Sequence, residues 1–323
     1  MRKLLLLFLM AVAFLVGSVS ATDVVLVSDN AADQCTALEV ADALNATVFT
    51  TTWGIYNESL VNEIENLNPE KVIIIGGPLA VVENYTIALE NAGITVERIG
   101  GTNRYETNAN ATLTFQNQFR HMFGDNATAC VCYGFDDIAL NETMQKVRNR
   151  SCLLLLTNGT NLSVEPQKLQ LRINKVEIIE NPICPFCNYS KVMMQLKRHG
   201  INISVEQISE ERVRLMLQNR IRLMERKIEM LKKMGVNTTE LEEKLKEAEQ
   251  LMEQNKLQEA YRIMIQLQEE QMVKVKLHLH PNWGEMRRGS PHQNPNPTEN
   301  PVGKMGENGH HQRINTTTAR INQ

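Results

Sequence analysis

Lys71-Val-Ile-Ile-Ile-Gly-Gly-Pro78 decides the reading of this 323-residue chain. Four branched apolar residues in a row leave a strand with no polar face, so Val72–Ile75 must be covered on both sides. Such strands, separated by helices, make a parallel sheet clothed by those helices. Gly76-Gly77-Pro78 stops the strand in a tight turn. About 104 residues later, Lys175-Val-Glu-Ile-Ile-Glu-Asn-Pro182 repeats the pattern, and Asn84-Tyr85-Thr86 lines up with Asn188-Tyr189-Ser190. Gly93-Ile94 and Val96-Glu97 likewise correspond to Gly200-Ile201 and Val205-Glu206. An internal repeat that preserves strand, turn and helix points to duplication.

Working outward, Val24–Val27, Thr47–Thr51 and Ile94–Ile99 read as further strands of the first copy. Ala32–Leu44, Leu60–Leu67 and Val82–Ala92 read as its helices. Val131–Gly134 and Cys152–Thr157 supply the first and second strands of the second copy, with Tyr105–Met122 as one connecting helix. The expected fold is α/β: two tandem flavodoxin-like or Rossmann-like parallel-sheet repeats, over residues 22–125 and 126–208.

Arg98-Ile-Gly-Gly-Thr-Asn-Arg-Tyr-Glu-Thr107, preceded by Ile-Ile-Ile-Gly-Gly-Pro78, resembles the cell wall-binding repeat 2 family. Gly76, Gly77, Pro78, Arg98, Arg104, Tyr105, Glu106 and Thr107 carry the likeness, and Asn30-Ala-Ala-Asp33 and Phe135-Asp-Asp137 extend it. The second copy lacks the Arg-Tyr-Glu-Thr element and has Glu180-Asn181 in place of Gly76-Gly77. The resemblance implies a flavodoxin-like module without catalytic activity that attaches extracellular proteins to cell-envelope polymers.

Residues 209–276 turn to Glu, Lys, Arg, Gln, Leu and Met. Val213, Leu217, Ile221, Met224, Ile228 and Leu231 form a seam at spacings of four and three, as in a coiled coil. Leu241, Leu245, Ala248 and Leu251, then Leu257, Ala260, Tyr261, Met264 and Leu267, stripe two more helices. The first helix is basic and the next two acidic, so a hairpin or short bundle folding on itself, or meeting a partner chain, is expected. Residues 277–323 are Pro, Gly, Asn and His without apolar period, the composition of a disordered tail.

Met1-Arg2-Lys3, the apolar run Leu4–Val16 and small residues up to Ala21 read as a signal peptide over residues 1–21. Asn-X-Ser/Thr sequons are dense: Asn45, Asn57, Asn84, Asn110, Asn126, Asn141, Asn149, Asn158, Asn161, Asn188, Asn202, Asn237 and Asn315. Both features fit an exported glycoprotein. A net charge of −3 gives no electrostatic footprint for nucleic acid.

Cys184-Pro-Phe-Cys187 is the sharpest chemical motif, and with Lys191–Gly200 it looks like the active-site strand and helix of a glutaredoxin. A structural disulfide is the simpler expectation, with metal binding a third. Cys35, Cys130, Cys132 and Cys152 remain, and a bridge from Cys130 or Cys132 to Cys152 on the neighbouring strand is feasible. Asp33, Asp136 and Asp137 follow first strands, where α/β sheets place ligands; helix capping explains them as well. Gly76-Gly77 lacks phosphate-loop spacing, and no nucleophile constellation appears. His278, His280, His292, His310 and His311 fall in the expected tail.

The sequence thus reads as a secreted, non-enzymatic envelope protein without cofactor. Its repeats would dock onto surface polysaccharide or a neighbouring envelope protein, and its helices would associate through their apolar face. The rival reading is an extracellular thiol–disulfide oxidoreductase using Cys184 and Cys187.

Overall fold

The computed structural model describes residues 23–279, so the expected signal peptide, the Asn315 sequon and nearly all of the expected tail lie outside the described residues. The first sheet consists of β1 (Val24–Ser28), β2 (Thr47–Thr51), β3 (Lys71–Ile75) and β4 (Thr95–Ile99), all parallel, in the order β2-β1-β3-β4. Helices α1 (Ala31–Leu44), α2 (Glu58–Glu65) and α3 (Glu83–Asn91) connect its strands. Two helices, α4 (Arg104–Thr114) and α5 (Gln116–Phe123), lead to the second sheet. There β5 (Asn126–Tyr133), β6 (Leu153–Thr157), β7 (Arg172–Glu180) and β8 (Asn202–Gln207) lie parallel in the order β6-β5-β7-β8, with α6 (Asp137–Arg148) and α7 (Ser190–Arg198) between strands. The two orders are the same, as a duplicated unit requires.

Burial follows position in the sheet. Every residue of central β1 is buried, whereas the outer strands β2, β4 and β8 expose part of their length. Each fully buried Val or Ile contributes about 1.5–3 kcal/mol. β6 breaks this rule: it is an edge strand, yet wholly buried. Its open side is covered by the first repeat. Leu154 N donates to Oε1 of Glu39 on α1 at 2.7 Å, and Leu156 N donates to Oδ1 of Asn108 on α4 at 3.3 Å. Side chains thus stand in for the missing strand and close the edge. Burial pushes the Glu39 carboxyl well above its usual range, as the dry edge demands.

Two features differ from the expected pattern. A single 3-10 turn, Pro166–Lys168, stands between β6 and β7 where the first repeat has α2. The connecting helix is broken at Phe115, whose backbone (φ −100°, ψ 16°) leaves helical geometry while its side chain is buried with Phe119 between the sheets.

Beyond β8 come α8 (Glu210–Lys233), α9 (Thr239–Glu253) and α10 (Leu257–Leu279), the last running past the expected boundary at 276. Ser209 caps α8, its Oγ accepting from Arg212 N at 3.3 Å, and Gly235 at φ +81° turns the chain toward α9. The coiled-coil-like seam from Val213 to Leu231 is buried, in one core with Leu241, Ala248, Tyr261 and Met264 and with Cys132, Ile138 and Ile179 of the second repeat. That corrects the expectation of association through this face: the apolar stripe is consumed within the chain. The charge reading is corrected too. Lys232 of α8 pairs with Glu242 of α9 at 2.9 Å, but Arg212, Arg220 and Lys227 pair with Glu142, Asp137 and Asp29 of the α/β repeats.

Candidate functional site

The residues that carry the family likeness hold the first repeat together. Gly76 adopts φ +128° and donates its N–H to Ile99 O at 2.8 Å. A Cβ on Gly100 would stand 2.8 Å from the carbonyl carbon of Gly76, so the two glycine pairs touch backbone to backbone. Arg98 clamps the same turn, donating to Val81 O at 2.9 Å, Gly76 O at 3.2 Å and Thr86 Oγ1 at 2.8 Å. Pro78 follows within the turn. Glu106 accepts from Thr102 N at 2.7 Å, Thr107 is buried, and Tyr105 packs on Gly134 and Phe135. Arg104 reaches into the second repeat, donating to Gly134 O and lying 3.8 Å over the ring of Phe135. The turn reading of Gly76-Gly77 therefore stands.

Beside Arg104, buried Asp33 sits in the first turn of α1, which Asn30 caps through Ala32 N at 3.1 Å and Asp33 N at 3.4 Å. Capping therefore belongs to Asn30 here, not to Asp33. Burial pushes the Asp33 carboxyl up to about 6, with the Arg104 charge opposing the rise.

In the second repeat Asp136 does cap, and does more. It is fully buried, and its Oδ1 accepts from Ala139 N at 3.1 Å, Asn181 Nδ2 at 3.0 Å and Tyr261 Oη at 2.8 Å. Its other oxygen, Oδ2, lies 3.5 Å from Sγ of Cys187. Burial raises the Asp136 carboxyl above its usual range, the three hydrogen bonds counter that, and Asp137 adds to it. Tyr261 arrives from α10, so the helical region plugs the crevice at the carboxyl ends of β5 and β7, where open α/β sheets hold ligands.

Asp137 points the other way and pairs with Arg220 of α8 at 2.9 Å; both side chains are about nine-tenths buried. Lys227 pairs with Asp29 at 2.7 Å. Between these two pairs lies a cleft of about 400 Å³ bordered by Arg148, Arg212, Met216 and Leu223.

Cys184 and Cys187 are disulfide-bonded, as are Cys130 and Cys152; Cys35 and Cys132 are free and buried. Burial pushes the Cys132 thiol up to about 12, which makes it inert at neutral pH. The glutaredoxin likeness fails in one respect: both cysteines of the 184–187 pair precede α7, which starts at Ser190, so neither thiol gains from a helix N-terminus. Asn188 forms the turn just before that helix, its Oδ1 accepting from Ser190 N at 3.0 Å. The described sequon asparagines are all exposed except Asn158, which is half-buried with Oδ1 accepting from Thr160 N and Asn161 N. His278 lies on α10 near its end, and the later histidines fall outside the described residues. Sequence reasoning missed Asn108, Asn181 and Arg220 as site residues and read Tyr261 as ordinary stripe; a polar residue inside an apolar run was the only signal for the last.

No family model matches the chain. The uncharacterized protein MJ0755 of Methanocaldococcus jannaschii is 70% identical over 325 residues, spanning 99% of this chain and 92% of that protein. A stretch of 92 residues, 28% of this chain, is 30% identical to 18% of the N-acetylmuramoyl-L-alanine amidase LytC of Bacillus subtilis. Among solved structures, Cwp6 from Clostridium difficile superimposes over 60% of this chain and 29% of its own with a TM-score of 0.46 and 21% identity.

Proposed function

The chain belongs to the family of MJ0755 of Methanocaldococcus jannaschii, and from that premise we propose that it is an exported cell-surface protein that works by docking onto the envelope rather than by cleaving it. Its α/β repeats contact surface polysaccharide or a neighbouring envelope protein, and its helices lock the repeats rather than recruit a second chain. The observation that carries this reading is the fate of the acids beside the first strands. Asp136 and Asp137 are engaged by Tyr261, Asn181 and Arg220, and Asp29 by Lys227, while Asp33 lies buried beside Arg104, so these acids are tied into the fold rather than presented to an open cleft.

Other features support a surface role. The motif around Arg98–Thr107 resembles envelope-attaching repeats, and part of the chain is similar to an amidase named for its action on a muramoyl peptide. Exposed sequons suit an extracytoplasmic face, and no described helix is long and apolar enough to cross a membrane.

The test is sedimentation of the full chain with isolated cell envelopes, untreated, protease-treated or deglycosylated. Saturable co-sedimentation lost on one treatment is expected, and that treatment identifies the partner as protein or glycan. Absence of co-sedimentation, or repeated release of soluble fragments from the envelopes by catalytic amounts of the chain, would contradict the proposal.

A further inference from the structure

The two copies of the repeat differ most at one place. Where the first copy has the neutral cap Asn30, the turn Gly76-Gly77 and, after it, Ala80 and Glu83, the second has Asp136, Glu180-Asn181, Cys184 and Cys187. Asn181 ties these together: its Nδ2 donates to Asp136, its Oδ1 accepts from Ile183 N at 3.2 Å, and its backbone oxygen accepts from Cys184 N at 3.1 Å. The carboxyl is thereby fixed beside the disulfide. With three donors on Oδ1, a proton on Asp136 belongs on Oδ2, the oxygen that faces Cys187 Sγ.

We propose that Cys184–Cys187 is a reversible thiol–disulfide centre, opened by a dithiol reductant, in which Asp136 is the proton donor to Cys187. A thiolate of the reductant attacks Sγ of Cys184. The S–S bond breaks, and Cys187 leaves with the electron pair and takes the proton from Oδ2 of Asp136. The reductant's second thiol, ionised, then cleaves the mixed disulfide and becomes a disulfide itself, while Cys184 and Asp136 regain protons from water. Two electrons pass from the dithiol to the protein, and the two protons lost by the dithiol balance the two taken up.

The direction of attack follows from the contacts: Cys187 has the acid beside it and is the better leaving group, while Cys184 is left for the reductant. Both cysteines are half-buried, in a loop whose Pro182, Phe186 and Asn188 are exposed. Burial keeps Asp136 protonated to higher pH than an ordinary carboxyl. The groups that face it are Tyr261 from α10, Asp137 with its partner Arg220 from α8, Tyr189 beside α7 and Cys132 on β5. By contrast Cys130 and Cys152 are fully buried, out of a reductant's reach in the native fold.

The experiment is native-state reduction of the full chain by dithiothreitol, quenched with N-ethylmaleimide and mapped by peptide mass. Label is expected at Cys184 and Cys187 well before Cys130 and Cys152, and oxidised dithiothreitol should restore the bond. The rate per reductant thiolate should fall as Asp136 ionises with rising pH. Asp136→Asn should abolish that step and slow reduction about tenfold or more at the low-pH plateau. Should Asp136→Asn not fold, Tyr261→Phe serves instead: it removes a bond that favours the ionised carboxyl, so the step should move to higher pH. Opening only in denaturant, a wild-type rate profile in Asp136→Asn, or an unmoved step in Tyr261→Phe would overturn the proposal. Stoichiometric uptake of cobalt(II) by the reduced chain, with thiolate charge-transfer absorption, would overturn it in favour of a metal site.

Discussion

Arg220 and Lys227 stand seven residues apart on α8, and each reaches an acid in a different repeat: Arg220 meets Asp137 at 2.9 Å and Lys227 meets Asp29 at 2.7 Å. Seven residues is two helical turns, so both cations project from one face of the helix. Both acids adjoin the cap of the helix that follows a first strand: Asp29 immediately precedes Asn30, and Asp137 immediately follows Asp136. Helix α8 thus bridges equivalent corners of the duplicated unit.

The two pairs should differ in worth. Arg220→Ala leaves Asp137 buried without its cation and is expected to cost about 3–5 kcal/mol. Lys227→Ala, at a more exposed pair, should cost about 1–2 kcal/mol. Urea unfolding of both, with Asp137→Asn added to Arg220→Ala, checks this; the second change should recover part of the loss.

Asp33 gives stability a pH dependence of a definite sign. Its carboxyl rises from 3.8 in the unfolded chain to about 6 in the fold, so its contribution is fully present below pH 3.8 and is lost as pH climbs through 6. The loss is about 3 kcal/mol in all. Asp33→Asn should flatten this decline, read as the difference in unfolding free energy between pH 5 and pH 8.

Gly100→Ala should be poorly tolerated, because its Cβ would stand 2.8–2.9 Å from backbone atoms of Gly76 and Gly77 that cannot swing aside. A cost of about 2 kcal/mol or more is expected, read as a lowered thermal midpoint.

The bridge between Cys130 and Cys152 closes a sequence separation of 22. Replacing both cysteines by Ala should cost about 3 kcal/mol through the unfolded chain. The gap between unfolding under oxidising and reducing conditions should shrink for the variant, in which only Cys184–Cys187 remains to be reduced.

Much of the fold was legible because β1, β3 and β6 are solid apolar runs that only a buried parallel strand can use. The repeat was legible because turns as well as strands were copied. The docking of α8–α10 was not, since a four–three apolar spacing is the same whether the partner is another chain or the chain's own second repeat. The break at Phe115 carried no Gly or Pro to announce it. Cys184 and Cys187 were visible as a pair, but Asp136 and Tyr261 lie 125 residues apart, and no spacing rule joins them. The start of α7 at Ser190 depended on the Asn188 turn, a local hydrogen bond that the helical pattern after Lys191 concealed.

Native-state hydrogen exchange in rising urea tests most directly whether helices and repeats are one structure. Amides along the buried face of α8, from Val213 to Leu231, should open at the same free energy as those of β5. Exchange of α8, α9 and α10 through a separate, lower-energy opening while β5 stays protected would contradict the shared core and the plugging of the second repeat by Tyr261 and Arg220.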